Sequence, residues 1–322
     1  MLFLWIGLGL AAVAAAVLGV AYYSFRSAFV YKKKNLAPGE FDLPHGTVFE
    51  PFYDLMLQWM KDTRKIPHRE VSTRSHDGYL LKGTFYEHKP GAPIEIMFHG
   101  YQGSGERDLC GGVMRCFRMG HSALVVDQRS TGRSEGRAIT FGIKERKDCL
   151  SWVEFTKQTF GEDVKVILTG ISMGAATVLM SAAEPLPENV KGILADCGYT
   201  SPKAIIHIVL RKMGLPVGLV YPFVKLGARI FGGFDLEETS PLEAMKNCKV
   251  PVIFFHGEAD DFVPCFMSRE NYEACTAPKQ LHTFPGAGHC LGYLVDQEGY
   301  LKALDGFYNS LPGLRGDTKH KL

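Results

Sequence analysis

The pentapeptide Gly170-Ile171-Ser172-Met173-Gly174 is the part of the sequence whose residue types and spacing first suggest chemistry. The run 164–169 before it reads as a buried strand and the run after it as a helix, the setting in which G-x-S-x-G lifts a serine onto a sharp, strained turn. Positions two before and two after such a serine must lack side chains, and Gly170 and Gly174 do. Ala175 and Ala176 extend the small-residue zone, so the helix can lie close to the strand with its N-terminal dipole aimed at charge forming near Ser172. On its own the pentapeptide also fits a glycine-bounded turn with an incidental serine; the order of the residues that follow separates the two.

A serine hydroxyl is a weak nucleophile at neutral pH and needs a base to take its proton and an acid to orient that base. His289 fits the base, because Phe284-Pro285-Gly286-Ala287-Gly288 is a strand end passing into a glycine-rich loop able to carry an imidazole over a sheet. His99 and His256 each precede a glycine at a strand end and read as structural hydrogen-bonding groups. For the acid, Asp260 comes first; Glu258 and Asp261 compete on the same loop, and Asp196, at the end of the previous strand, is a fourth candidate. The chain order Ser172, Asp260, His289 runs nucleophile, acid, base. An oxyanion hole needs two backbone donors, one just after the nucleophile and one from an early strand-to-helix loop, and the N–H groups of Met173 and Tyr101 fall in those places. Gly100 and Gly103 would let that loop approach a substrate.

The elements that must hold these residues alternate. Runs 69–75 and 79–88, joined at Asp77-Gly78, predict an antiparallel hairpin. Short apolar runs at 94–98, 123–126, 164–169, 190–195, 250–255 and 280–284 alternate with helical stretches, which predicts an α/β fold with a mostly parallel sheet. Between Tyr199 and Cys248 the alternation stops. That apolar stretch, broken by Gly214, Pro216, Gly218, Pro222 and Gly232-Gly233, predicts a helical cap over the carboxyl ends of the strands. Lys203, Arg211, Lys212, Lys225 and Arg229 predict a basic outer face on this cap, suited to anionic headgroups, with the cap gating hydrophobic acyl esters; simple packing on the sheet with solvated bases is the other expectation.

Residues 2–25 carry no charge and, at about 1.5 Å per residue, are long enough to cross a hydrocarbon core. Trp5, Tyr22 and Tyr23 fall near the ends of this stretch, and Arg26 and Lys32 to Lys34 follow it, so a single-pass membrane helix with a cytoplasmic C-terminal side is expected. A cleavable signal peptide is the competing reading; the length and the missing basic leader oppose it. The expected division is an anchor at 1–26, a linker and collar helix at 27–67, an α/β domain at 68–312 with its cap at about 199–248, and a tail at 313–322. With 322 residues, 46% of them hydrophobic, the chain has material for one large core or two ordinary ones. A net charge of +2 with acidic and basic residues interspersed argues against nucleic-acid binding. The eight cysteines show neither C-x-x-C pairs nor zinc spacing and read as reduced, mostly buried thiols, so no metal or cofactor is expected.

On His99-Gly100-Tyr101, the 127–134 loop, Gly170 to Gly174, the 256–264 segment and Gly288-His289, the stretch 69–310 resembles the α/β-hydrolase superfamily. It looks most like the branch of acylglycerol lipases, serine aminopeptidase-like hydrolases and membrane-anchored bacterial homologues. The resemblance implies that Ser172, Asp260 and His289 form a triad and that Asp127 and Arg129 hold a loop. The expected activity is cleavage of a small or lipid-like carboxylic ester through an acyl-serine. Amide, peptide or thioester hydrolysis on the same triad is the alternative, and a catalytically dead, membrane-tethered binding module is the reading from another class. Protein partners are left open.

Overall fold

The structure, a computed structural model, describes residues 1–37 and 39–314; beyond its first two positions, the expected tail lies outside the described residues. In chain order the elements are α1 (Leu2–Phe29), α2 (Tyr53–Lys65), β1 (His68–Arg74), β2 (Leu80–Tyr86), β3 (Ile94–Phe98), α3 (Gly105–Arg118), β4 (Ser122–Asp127), α4 (Glu145–Phe160), β5 (Val166–Ile171) and α5 (Met173–Ser181). They continue with β6 (Val190–Asp196), α6 (Pro202–Lys212), α7 (Val217–Gly227), α8 (Pro241–Met245), β7 (Val252–Gly257), α9 (Phe266–Ala274), β8 (Lys279–Phe284), α10 (Gly292–Val295) and α11 (Gln297–Ser310). A π turn at Ala228–Gly232 follows α7.

The apolar runs pair into one eight-stranded sheet of order β1-β2-β4-β3-β5-β6-β7-β8. The β1–β2 hairpin turns at Gly78, whose φ of +91° suits glycine, and β2 joins β4 antiparallel, while all later pairings are parallel. Strands β3, β4 and β7 are buried at every position, as strands covered on both faces must be. Alternation along each strand divides the core. Ile96 and Leu168 pack with Trp152 and Val153 of α4 and Val178 of α5, whereas Ile167 and Phe255 point to Leu304 and Phe307 of α11. Between these layers lies Glu95, fully buried, accepting from Arg115 Nη2 (2.6 Å), Tyr308 Oη (2.8 Å) and Thr169 Oγ1 (3.0 Å), with His121 Nδ1 at 3.0 Å. Its pKa is held down against burial by the neighbouring Arg115 guanidinium and these hydrogen bonds.

The interrupted stretch between β6 and β7 folds into α6, α7, the π turn and the short α8. Its outer face is not the free basic surface that its own residues predict. Lys225 Nζ is 3.1 Å from Glu237, Lys203 3.5 Å from the same carboxylate and Lys212 3.6 Å from Asp261, while Arg229 pairs with Asp235. Asp235, Glu237 and Asp261 thus pair four of the five bases, while Arg211 stays exposed.

Helix α1 runs to Phe29, three residues past the expected anchor, because its last turns present Ala21, Phe25 and Phe29 as one apolar stripe against the cap. Phe25 and Phe29 join an aromatic cluster with Phe231, Phe234 and Phe141. The approach of α7 is close enough that a Cβ on Gly227 would lie 2.4 Å from the Ala21 carbonyl oxygen. Gly227→Leu is therefore expected to push α1 off α7 at a cost of about 1–3 kcal/mol. Limited proteolysis after Arg26 and thermal unfolding check this; an unchanged melting temperature with a protected Arg26 would contradict the packing.

Candidate active site

The turn at Ser172 is fixed by two absent side chains. A Cβ on Gly170 would meet the Gly174 carbonyl at 2.2 Å, and one on Gly174 would meet the Phe98 carbonyl oxygen at 2.0 Å, so β5, α5 and the end of β3 touch through backbone alone. Ser172 takes φ +54° and ψ −117°, a conformation that non-glycine residues adopt only when their surroundings impose it. Its N–H donates to the Asp196 carbonyl oxygen at 2.8 Å, which ties the turn to the adjacent strand end.

The other candidates arrive on two loops stitched together by their backbones. Glu258 N–H donates to the Phe284 carbonyl and Ala259 N–H to that of Ala287, each at 2.9 Å. A Cβ on Gly257 would stand 2.2 Å from the Ala287 oxygen, so this zipper also requires a bare position. Asp260 Oδ1 accepts from the N–H groups of Phe262 (2.9 Å) and Val263 (2.8 Å), leaving Oδ2 to take His289 Nδ1–H at 2.6 Å. On the far side of the ring, Ser172 Oγ–H donates to His289 Nε2 at 2.9 Å. The structure thus brings Ser172, His289 and Asp260 into one hydrogen-bonded line. It does not bring the competing carboxylates to the imidazole: Glu258 accepts from Thr283 Oγ1 at 2.6 Å, Asp261 is exposed beside Lys212, and Asp196 accepts from Tyr300 Oη at 3.0 Å.

His99 and His256 make structural hydrogen bonds. His99 Nδ1 donates to the Gly100 carbonyl at 2.8 Å while Nε2 accepts from Gln128 N–H at 3.3 Å. His256 lies between Ser268 Oγ (2.7 Å) and the Val263 carbonyl (2.8 Å), with Asp260 Oδ2 at 3.2 Å, so it braces the Asp260 loop from behind. Arg129 spans Asp148 and Asp77, and Asp127 accepts from Arg133 Nε at 2.8 Å, both holding the 127–134 loop.

The expected oxyanion donors lie at the start of α5 and in the β3–α3 loop, where a Cβ on Gly100 would stand 3.6 Å from Ser172 Cβ. Met173 is the first residue of α5, so its N–H has no partner within the helix. The Tyr101 loop is held at three points that sequence reasoning missed. Asp108 Oδ2 accepts Gly100 N–H at 3.0 Å, Tyr101 Oη donates to the Ala28 carbonyl at 2.9 Å, and Gln102, at φ +53°, exchanges hydrogen bonds with the backbone of Val30 (2.9 Å) and Lys32 (2.8 Å). The end of α1 thereby buttresses this loop directly. No local pattern announces contacts between residues some seventy positions apart.

Burial works against the charged form of Asp260, but hydrogen bonds from His256 and His289 bring its pKa to about 2. For His289, burial disfavours the imidazolium, and the hydrogen bond to the ionised Asp260 carboxylate outweighs it, raising the pKa above the ordinary value near 6.5. Cys197 Sγ and Cys290 Sγ lie 3.2 Å apart behind the ring, and with His289 they place three potential metal donors within 4.8 Å of one another. Their positions in sequence hide this cluster from spacing rules. A second group, His76, Asp77 and Asp148, has its carboxylates already engaged by Arg129. Ser172 and His289 open into a cavity of about 240 Å³.

Residues 140–304, about half of the chain, match the dienelactone hydrolase family. The YqkD protein of Bacillus subtilis (strain 168) is 26% identical over 194 residues, 60% of this chain and 64% of that one, so the chain spans less than two thirds of that relative. The Bem46 protein of Schizosaccharomyces pombe is 22% identical over 308 residues, covering 93% of this chain and 91% of its own. The esterase Pf2001 of Pyrococcus furiosus superposes with a TM-score of 0.67 at 21% identity, covering 88% of this chain and 99% of that one; this likeness establishes the fold.

A base must be neutral to accept a proton, so kcat/KM is expected to rise as pH climbs through the raised His289 pKa, with its midpoint on the alkaline side of about 6.5. Asp260→Asn removes a charge that favours the imidazolium and should move that limb to lower pH while reducing the rate by about 10⁴-fold. A pH–rate profile that is flat from about pH 6 to 9, or a limb unmoved by Asp260→Asn, would break the assignment.

Proposed function

From the premise that the chain belongs to the dienelactone hydrolase family, within the α/β-hydrolase superfamily, we propose that it is a serine hydrolase cleaving carboxylic esters through an acyl-Ser172 intermediate. The observation that carries this reading is the line from Asp260 Oδ2 through His289 to Ser172 Oγ, with contacts of 2.6 and 2.9 Å, set at a strained strand-to-helix turn. Ser172 Oγ attacks the ester carbonyl as its proton passes to His289 Nε2. The oxyanion so formed is held by the N–H groups of Met173 and Tyr101 at the positive end of α5. Collapse expels the alcohol, which leaves with the proton from His289. Water then gives a proton to His289, attacks the acyl group and regenerates Ser172, which recovers its proton while the carboxylic acid departs. Asp260 stays ionised throughout, fixing the ring's tautomer and stabilising the transient imidazolium.

Ser172→Ala adds no bulk at the turn and is expected to keep the fold while lowering ester turnover by about a millionfold, since triad members act as a unit. A fluorophosphonate should label the wild-type protein at Ser172 and not the variant. Wild-type turnover by the variant, or labelling elsewhere, would sink the mechanism.

We propose further that α1, which is long and apolar enough to cross a membrane, is a single-pass anchor with the hydrolase body on the cytoplasmic side. Arg26 and Lys32 to Lys34 beyond the apolar stretch support that orientation, as do eight free cysteines. A membrane-impermeant thiol reagent applied to intact cells should leave the half-buried Cys265 unmodified until the cells are permeabilised; labelling of intact cells would reverse the orientation.

A further inference from the structure

The cavity entered at Ser172 runs away from the cap, toward the segment that precedes the sheet. Its far end is walled by Phe49, Met56 and Trp59, by Leu109 of α3 and by Tyr293 and Leu294 of α10, and among the described residues none from α6 or α7 lines it. We propose that this end is an acyl-chain site, so that the ester cleaved at Ser172 carries a medium-length aliphatic chain and the collar, not the cap, sets the chain-length preference. The inference rests on the ester-hydrolase reading above.

Three features argue that this wall is built rather than incidental. Helix α3 carries adjacent glycines in its interior, where glycine is the poorest helix former after proline. A Cβ on Gly111 would lie 2.7 Å from the Trp59 ring, and one on Gly112 would lie 2.4 Å from the Met97 methyl, so the pair makes room for two cavity-lining side chains. The Trp59 indole stacks on Tyr293, ring centres 5.5 Å apart at 20°, which joins the collar to the element just after His289 in one apolar surface. The collar is also held in place: Tyr53 Oη donates to the Pro44 carbonyl at 2.8 Å, and Arg64 pairs with Glu106 of α3 at 2.9 Å while its guanidinium lies over Phe41. The Arg and Asp residues that line the cavity are occupied: Arg107 and Asp108 with each other at 2.6 Å, Asp108 also with the Gly100 amide, Arg115 with Glu95 at 2.6 Å and Asp196 with Tyr300 at 3.0 Å. A charged substrate tail would find no partner at the far end, whereas an alkyl chain finds a preformed apolar surface.

Along p-nitrophenyl esters from acetate upward, kcat/KM should rise by about fourfold per methylene until the cavity is filled, then fall. Trp59→Ala and Phe49→Ala, made separately in case one impairs folding, should each lower the octanoyl-to-acetyl ratio of kcat/KM by about tenfold, chiefly through KM. A ratio unchanged in both variants overturns the proposal. A second measurement avoids catalysis: in the Ser172→Ala protein, ω-bromooctanoate should quench tryptophan emission, and the quench should vanish in Ser172→Ala/Trp59→Phe, since Trp5 and Trp152 lie elsewhere. Absence of any quench overturns the site. A quench in a protein that cleaves no ester of the series would sustain the site and overturn the ester reading alone.

Discussion

Close backbone approach at three glycines governs this molecule. Gly170 against Gly174, Gly174 against Phe98 and Gly257 against Ala287 are distances at which a single methyl group does not fit. The first two press α5 onto the ends of β3 and β5, which forces the Ser172 backbone into its rare conformation and presents both the hydroxyl and the first amide of α5 to one side of the sheet. The third locks the loop after β7 to the loop after β8, and so sets the spacing between Asp260 and His289. A sheet of eight strands supplies the rigidity, but these approaches convert strand ends into a constellation with contacts below 3 Å.

Much of this was legible because it is local. The elbow, the HG turns and the glycine-rich loop before His289 are short patterns whose residue types follow from backbone geometry, and the alternating apolar runs located all eight strands to within a few residues. Asp260 comes first among four candidate acids, but a loop can present any of three neighbouring carboxylates, so position alone does not exclude the others. The choice depends on which oxygen the backbone consumes: Phe262 and Val263 take one oxygen of Asp260 and aim the other at the ring. The pairing of most cap bases was not legible, because Asp235 and Glu237, just beyond the basic stretch, fold back upon it. The Glu95 network, the Cys197–Cys290 approach and the collar wall were invisible, because each joins residues too far apart for any periodicity to register.

The N-terminal segment is thus less of an appendage than its composition suggests. Residues 28–32 hydrogen-bond to Tyr101 and Gln102, and the collar behind them walls the cavity, so both ends of the site outside the sheet are shaped by the first sixty residues. Gln102 is held at a positive φ by bonds to that segment, a local strain that the α1 terminus helps sustain.

The docking of α1 also bears on how high the enzyme can float. From Leu2 to Val20 no residue of α1 is buried, a stretch of roughly 28 Å at 1.5 Å per residue, close to the thickness of a hydrocarbon core of about 30 Å. Under the anchor proposal, the helix ends its crossing where Ala21 docks on α7, which sets α7 and the π turn against the membrane face. The exposed apolar side chains on those elements, Leu219 and Ile230, then lie at the depth of the headgroups. Under that proposal the body would rest on the lipid rather than swing above it on a tether, and its esters would arrive by lateral diffusion in the leaflet as well as from the water.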